Sequence, residues 1–128
     1  MTAISSLMRV DFPRLTPATP IRDAAAALVA AGQSGAPVVD ETGEIVGMLT
    51  QKDCFRAALN ASYYRQWSGT VSAAMSRGAL TLPADTDLVA AAQAFLDHPH
   101  RLFPVIDNGR LVGVLHRGDV LAVLLAQG

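Results

Sequence analysis

Gly47-Met48-Leu49-Thr50-Gln51-Lys52-Asp53 reads as the end of a buried strand that turns straight into a helix. Ile45-Val46-Gly47-Met48-Leu49 is apolar and of strand length, Thr50 stands where an N-cap belongs, and Asp53 follows three residues on. A helix start points its free backbone N–H groups beyond the strand end, which suits an anion. A threonine hydroxyl there can bond a phosphate oxygen, and a carboxylate one turn on can accept from both hydroxyls of a ribose. The same two residues also suit a capping box, with Asp in place of the preferred Glu or Gln and no ligand involved. Taken alone, the heptapeptide favours the capping box.

The pattern occurs twice. Gly113-Val114-Leu115-His116-Arg117-Gly118-Asp119 repeats the order 66 residues later, with the same Gly, two apolar positions and Asp. Ala36-Pro37-Val38-Val39-Asp40 precedes the first copy and Phe103-Pro104-Val105-Ile106-Asp107 the second. The turns between are Glu41-Thr42-Gly43-Glu44 and the shorter Asn108-Gly109-Arg110, which carries an Asn-Gly hairpin signal. Each copy is therefore strand, tight turn, strand, helix. Upstream, Leu15-Thr16-Pro17-Ala18 aligns with Thr81-Leu82-Pro83-Ala84 after a small shift, each followed by an Ala-rich helical run. Ser6-Leu7-Met8 and Ser72-Ala73-Ala74-Met75 open the two units.

With an x-Pro-Val-Val/Ile-Asp strand ahead of each Gly-apolar-apolar-Thr/Ser-x-x-Asp element, the chain resembles a tandem pair of CBS domains, together called a Bateman module. The likeness covers nearly the whole chain and departs from the family pattern at His116, where Thr or Ser is usual. It implies an α/β (α+β) fold of two β-α-β-β-α units related by pseudo-twofold symmetry, their sheets packed with helices. The first unit is expected at 1–62, a connector at 63–70 and the second unit at 71–128.

The resemblance also implies a function. CBS pairs bind adenosine compounds, such as AMP, ADP, ATP or S-adenosylmethionine, in the cleft between units, and transmit binding to a partner protein. Carried over residue by residue, Asp53 holds the ribose hydroxyls, Thr50 and the helix N–H groups the phosphate, and Thr16 lines the pocket. Backbone groups at Ala36 and Pro37 face the base. The second set is Asp119, His116, Thr81 and Phe103, with Arg117 nearby; His116 is a bulkier donor whose charge depends on pH, so that either Arg117 compensates for it or the second pocket is empty or takes a different ligand. The first pocket is the stronger candidate. The competing reading is a dimerisation or interaction module with no physiological nucleotide.

Bulk properties narrow the classes. The chain has 128 residues, enough for one ordinary domain and too few for a CBS pair plus a catalytic domain, so a stand-alone module is expected. Ten basic and eleven acidic residues give a net charge of -1 with no Lys or Arg run, and nucleic-acid binding is not expected. The longest apolar runs, 24–31 and 120–126, fall short of a membrane span, and the N-terminus lacks a signal-peptide pattern. The single Cys54 excludes an internal disulfide and any multi-cysteine metal site, in keeping with a cytoplasmic protein. Cys54 itself reads as a small buried hydrophobe, since no base is tied to it by a motif. No Ser-His-Asp or Cys-His arrangement, marked carboxylate pair or Walker-type Gly-Lys-Ser/Thr is present, so an enzyme is the least favoured class and no cofactor is required.

In chain order, a helical turn is expected at 5–8, a short strand at 15–16, a helix over 21–31 ended by Gly32, strands at 36–40 and 45–49, and a helix from Gln51 to about Ala61. Tyr63-Tyr64-Arg65-Gln66-Trp67-Ser68-Gly69 forms the connector and holds three of seven aromatics. Packing of those rings on the units or on a second chain is favoured over a surface for another protein. The second unit repeats the order: helical turn 71–75, strand 79–82, helix from about 86 to 97 capped by Thr86 or Asp85, strands 102–107 and 111–116. His98-Pro99-His100 reads as loop histidines, because the ligands are too few for a metal. The last helix, 117–126, is apolar almost all round, and a second copy of the chain is its expected cover, giving a homodimer.

Overall fold

Pro20 fixes the backbone ahead of helix α1 (Ile21–Ala31), and Gly32, in the left-handed region at φ 64°, ends it. The Gly32 N–H donates to Val29 O and the Gln33 N–H to Leu28 O, a Schellman close. Strands β1 (Gly35–Val39) and β2 (Ile45–Thr50) then form an antiparallel pair, with Gly35 opposite Thr50 and Val38 opposite Gly47. Helix α2 (Gln51–Tyr64) follows β2 without a loop, and a short α3 (Val71–Ala74) comes after the intervening segment. The second copy runs β3 (Leu82–Pro83), α4 (Leu88–Asp97), β4 (Leu102–Asp107), β5 (Arg110–His116) and α5 (Arg117–Gln127). Its hairpin turn places Asn108 and Gly109 at φ 52° and 76°, as an Asn-Gly turn between antiparallel strands requires.

The computed structural model describes residues 2–128 as two compact units whose bounds differ from those of the sequence repeat. Pro13–Ala79 make one unit; the residues up to Phe12 join Leu80–Gly128 in the other. In the 13–79 unit, Ile21, Ala24 and Leu28 of α1 close over Val38 and Leu49, with Cys54 and Val71 in the same cluster. Leu15 bridges to Val38 as a single parallel pair. In the other unit Leu82 pairs in parallel with Val105, and Ile4, Leu88, Ala91, Leu115 and Val120 close the core. Mixed α+β architecture follows from the two periods of the sequence, alternation in the hairpins and small apolar stripes on the helices.

Some elements depart from expectation. Helix α2 continues to Tyr64, so Tyr63 and Tyr64 belong to its last turn; both are exposed and meet edge to face at 4.9 Å. Trp67 alone of the three packs against the 13–79 core. Helix α5 buries Val120 and partly buries Val123 and Leu124, while Leu121 and Leu125 stand exposed. His98 and His100 sit against Phe103, His100 stacked at 5.2 Å. Among the described residues no helix is long and apolar enough to cross a membrane.

The cap of α4 is Asp87, not Thr86 or Asp85: its Oδ1 accepts the Ala90 N–H at 2.8 Å. Loss of that bond by Asp87→Ala is expected to cost about 1 kcal/mol. Thr86→Ala and Asp85→Ala should each leave the thermal midpoint within the range of neutral surface changes, which melting the three variants side by side checks.

Candidate functional site

At the β2–α2 junction the capping box is closed. The Asp53 N–H donates to Thr50 Oγ1 at 3.2 Å, and the Thr50 N–H donates to Asp53 Oδ2 at 2.9 Å. Two helix-start donors are thereby satisfied, and the carboxylate is fixed in direction. Chemistry remains available: the Thr50 hydroxyl accepts and still has its proton to donate, and Asp53 Oδ1 makes no bond among the described residues. Capping and ligand holding are therefore compatible uses of the same pair.

Asp53 lines a cavity of about 500 Å3 within the 13–79 unit. Lys52, Arg56 and Asn60 line it from the same helix, with Ser68 and Thr70 from the segment after it. Two cations, one carboxylate and several hydroxyl or amide groups converge there, a combination suited to a phosphorylated polar ligand. Lys52, Arg56 and Asn60 were not among the expected site residues. Their i, i+4, i+8 spacing on α2 was the signal, placing them beside Asp53 on one helix face.

The other expected residues of this copy divide. Ala36 and Pro37 are buried in β1, opposite Leu49 and Met48, so they lie next to the Thr50 end of the hairpin through backbone alone. Thr16 does not join them. Leu15 is level with Val38, so Thr16 lies toward Val39, about 13 Å along the strand from the Gly35–Thr50 pair at ~3.3 Å per residue. Its hydroxyl is engaged with that of Thr19 at 2.9 Å.

The second copy has a different chemistry. His116 is the N-cap of α5 and makes no side-chain capping bond. Asp119 faces Arg9 instead: Arg9 Nε donates to Oδ2 at 2.8 Å and Nη2 to Oδ1 at 3.0 Å, a two-pronged ion pair across 110 residues of sequence. Arg9 is held in place by its backbone, which exchanges both hydrogen bonds with Val114. Ser76 occupies the same position in the 13–79 unit, exchanging both bonds with Met48, and its short side chain carries no charge to Asp53. Arg117 is exposed; its N–H donates to Arg101 O as that of Gln51 does to Ser34 O. The Phe103 ring is buried against Phe95 and His100 and offers no face to a ligand. Thr81 is level with Pro104, two residues from the Leu102–His116 pair, and is equivalent to Arg14 rather than to Thr16, because Leu82 and Leu15 hold matching places.

Charge follows the geometry. The hydrogen bond from Arg9 holds the Asp119 carboxyl below the usual carboxylate range, against a smaller effect of burial. Burial first, then the Arg9 cation, push the His116 imidazole below its ordinary value, with Asp119 opposing. Burial and the Arg9 cation thus both favour the neutral imidazole. Arg9→Gln is expected to return the Asp119 carboxyl toward 3.8, read from its carbon chemical shift against pH. Since the folded carboxyl titrates lower than the unfolded one, the pair's contribution to stability is present above about pH 4 and lost as pH falls through the folded value.

Comparison with known proteins adds relatives to this geometry. A family model described as "CBS domain" matches residues 4–60 and 71–126. The CBS domain-containing protein YhcV of Bacillus subtilis (strain 168) is 28% identical over 120 residues, which cover 94% of this chain and 84% of YhcV. The crystal structure of CBSX2, a CBS-pair protein from Arabidopsis thaliana, in complex with AMP is similar at TM-score 0.86 and 26% identity, covering 99% of this chain and 98% of that one. The CBS domain pair of protein MJ0100, in complex with methylthioadenosine and S-adenosylmethionine, shares the fold at TM-score 0.78 and 22% identity, covering 96% and 99%.

Proposed function

The chain belongs to the CBS domain family, and we propose that it is a regulatory module that binds an adenosine compound at the Asp53 site and passes the binding on to a partner protein. One observation carries the reading: the Asp53 carboxylate is aimed by its capping box, makes no ion pair among the described residues, and lines a cavity that also holds Lys52 and Arg56. Asp53 Oδ1 accepts from the ribose hydroxyls. The Thr50 hydroxyl, the Lys52 backbone N–H and the Lys52 and Arg56 side chains take the phosphate, and the backbone at Ala36 and Pro37 borders the base. AMP, ADP, ATP and S-adenosylmethionine are the candidate ligands; AMP has support from CBSX2, whose structure contains it. No catalytic step and no resident cofactor enter this reading.

Regulation requires that the ligand prefer one of two shapes of the protein, since equal affinity for both shifts nothing. A second reading, a self-association module, is favoured by exposed apolar residues on the helices: Val29, Phe55 and Leu59 in one unit, Leu96, Leu121 and Leu125 in the other. Titration calorimetry with the four ligands, beside sedimentation and amide exchange with and without ligand, separates the two. Saturable binding with altered exchange supports the regulatory reading. A folded dimer that binds none of the four supports the second, and binding without any change in exchange or partner affinity removes transmission while keeping the site.

A further inference from the structure

The two copies of the repeat differ at the position that packs over the motif glycine, Ser76 in one and Arg9 in the other, each bonded through its backbone to the strand beneath. The consequence falls on the carboxylate one helical turn further on. Asp53 keeps Oδ1 open, whereas both oxygens of Asp119 are bonded to the Arg9 guanidinium at 2.8 and 3.0 Å. A ribose hydroxyl donates its hydrogen bonds to a carboxylate, as a guanidinium does, so ligand and arginine compete for one acceptor. The arginine is part of the chain and is always present.

We infer that Arg9 is a built-in occupant of the second copy of the site, closing it to the ribose of an adenosine compound and leaving one open site per chain, at Asp53. This rests on the reading of the Asp53 site given above. The closure is moderate in strength. Both partners are partly exposed, with side chains 47% and 34% accessible, so the pair is screened by water; its two-pronged geometry places it above the median of such pairs. Removing Arg9 is therefore expected to tighten ribose binding at the second copy about two- to fivefold.

The test uses AMP and the whole chain in four forms: wild type, Asp53→Asn, Asp53→Asn with Arg9→Gln, and that double variant with Asp119→Asn. Because Arg9 is anchored through its backbone, the glutamine leaves the packing over Gly113 in place, and a thermal melt verifies this. Wild type is expected to take one AMP per chain at its tighter site, and Asp53→Asn to weaken that binding roughly 100-fold. Adding Arg9→Gln should restore binding about two- to fivefold over Asp53→Asn, and Asp119→Asn should abolish the restored binding. A second AMP that binds the wild type as tightly as the first, or a double variant no better than Asp53→Asn, overturns the closure. A wild type that binds no AMP, beside a double variant that does, overturns the Asp53 reading and upholds the closure.

Discussion

Asp53→Asn is expected to weaken AMP binding roughly 100-fold, which is about 3 kcal/mol and corresponds to two charge-assisted hydrogen bonds reduced to neutral ones and partly lost. Asparagine is the informative replacement. Its amide oxygen can still accept the Thr50 N–H, so the capping box at the head of α2 survives and the helix start stays in place. Charge and one acceptor oxygen are what disappear. Asp53→Ala removes the cap as well, adding about 1 kcal/mol of lost stability to the lost affinity. A calorimetric titration beside a thermal melt therefore distinguishes a binding carboxylate from a purely capping one. Lost affinity with an unchanged melt in the asparagine variant supports the binding role. An unchanged affinity assigns Asp53 to capping alone and moves the search to Lys52, Arg56 and Asn60.

Gly47→Val is expected to have the largest effect on stability. A Cβ at Gly47 would lie 2.6 Å from the Ser76 carbonyl oxygen and 2.9 Å from Met75 Sδ. The thioether can swing aside, but the carbonyl cannot move without losing the paired Met48–Ser76 backbone bonds, each 2.9 Å. Overpacking together with weakened bonds should cost about 3 kcal/mol, lowering the melting midpoint by about 10 °C or more. Gly113→Val should cost less, because the atoms that crowd that position most belong to the Met8 side chain, which can swing aside, while the Arg9 carbonyl stands off at 3.1 Å. Gly118→Ala is the control: no atom lies within 4 Å of its added Cβ, and alanine suits the first turn of α5 better. Its melt should be unchanged or slightly raised. If Gly47→Val melts like wild type, the motif glycine is not needed for close packing.

Much of this was legible in the residue order. The doubled strand-to-helix junction, the capping pair Thr50–Asp53, the Asn108-Gly109 turn and the Gly32 stop all depend on a few neighbouring residues. Such signals survive in a sequence because backbone propensity and side-chain capping act over one turn or one hairpin. The family likeness rested on them, and the family model matches the same two stretches. What could not be read was anything set by registers between distant segments. Thr16 and Thr81 align through their neighbouring prolines, yet the parallel pairing of Leu15 with Val38 and Leu82 with Val105 gives them different places.

The sequence by itself determined that this protein is two copies of one strand-strand-helix unit, each ending on a carboxylate poised at a helix start. Only the tertiary structure decided which carboxylate stays open. Residues up to Phe12 fold with Leu80–Gly128, so Arg9 meets Asp119 across 110 residues, and the corresponding position beside Asp53 receives an uncharged Ser76. An ion pair at that separation leaves no local periodicity or spacing to read. It exists because two segments distant in the chain are brought to one strand.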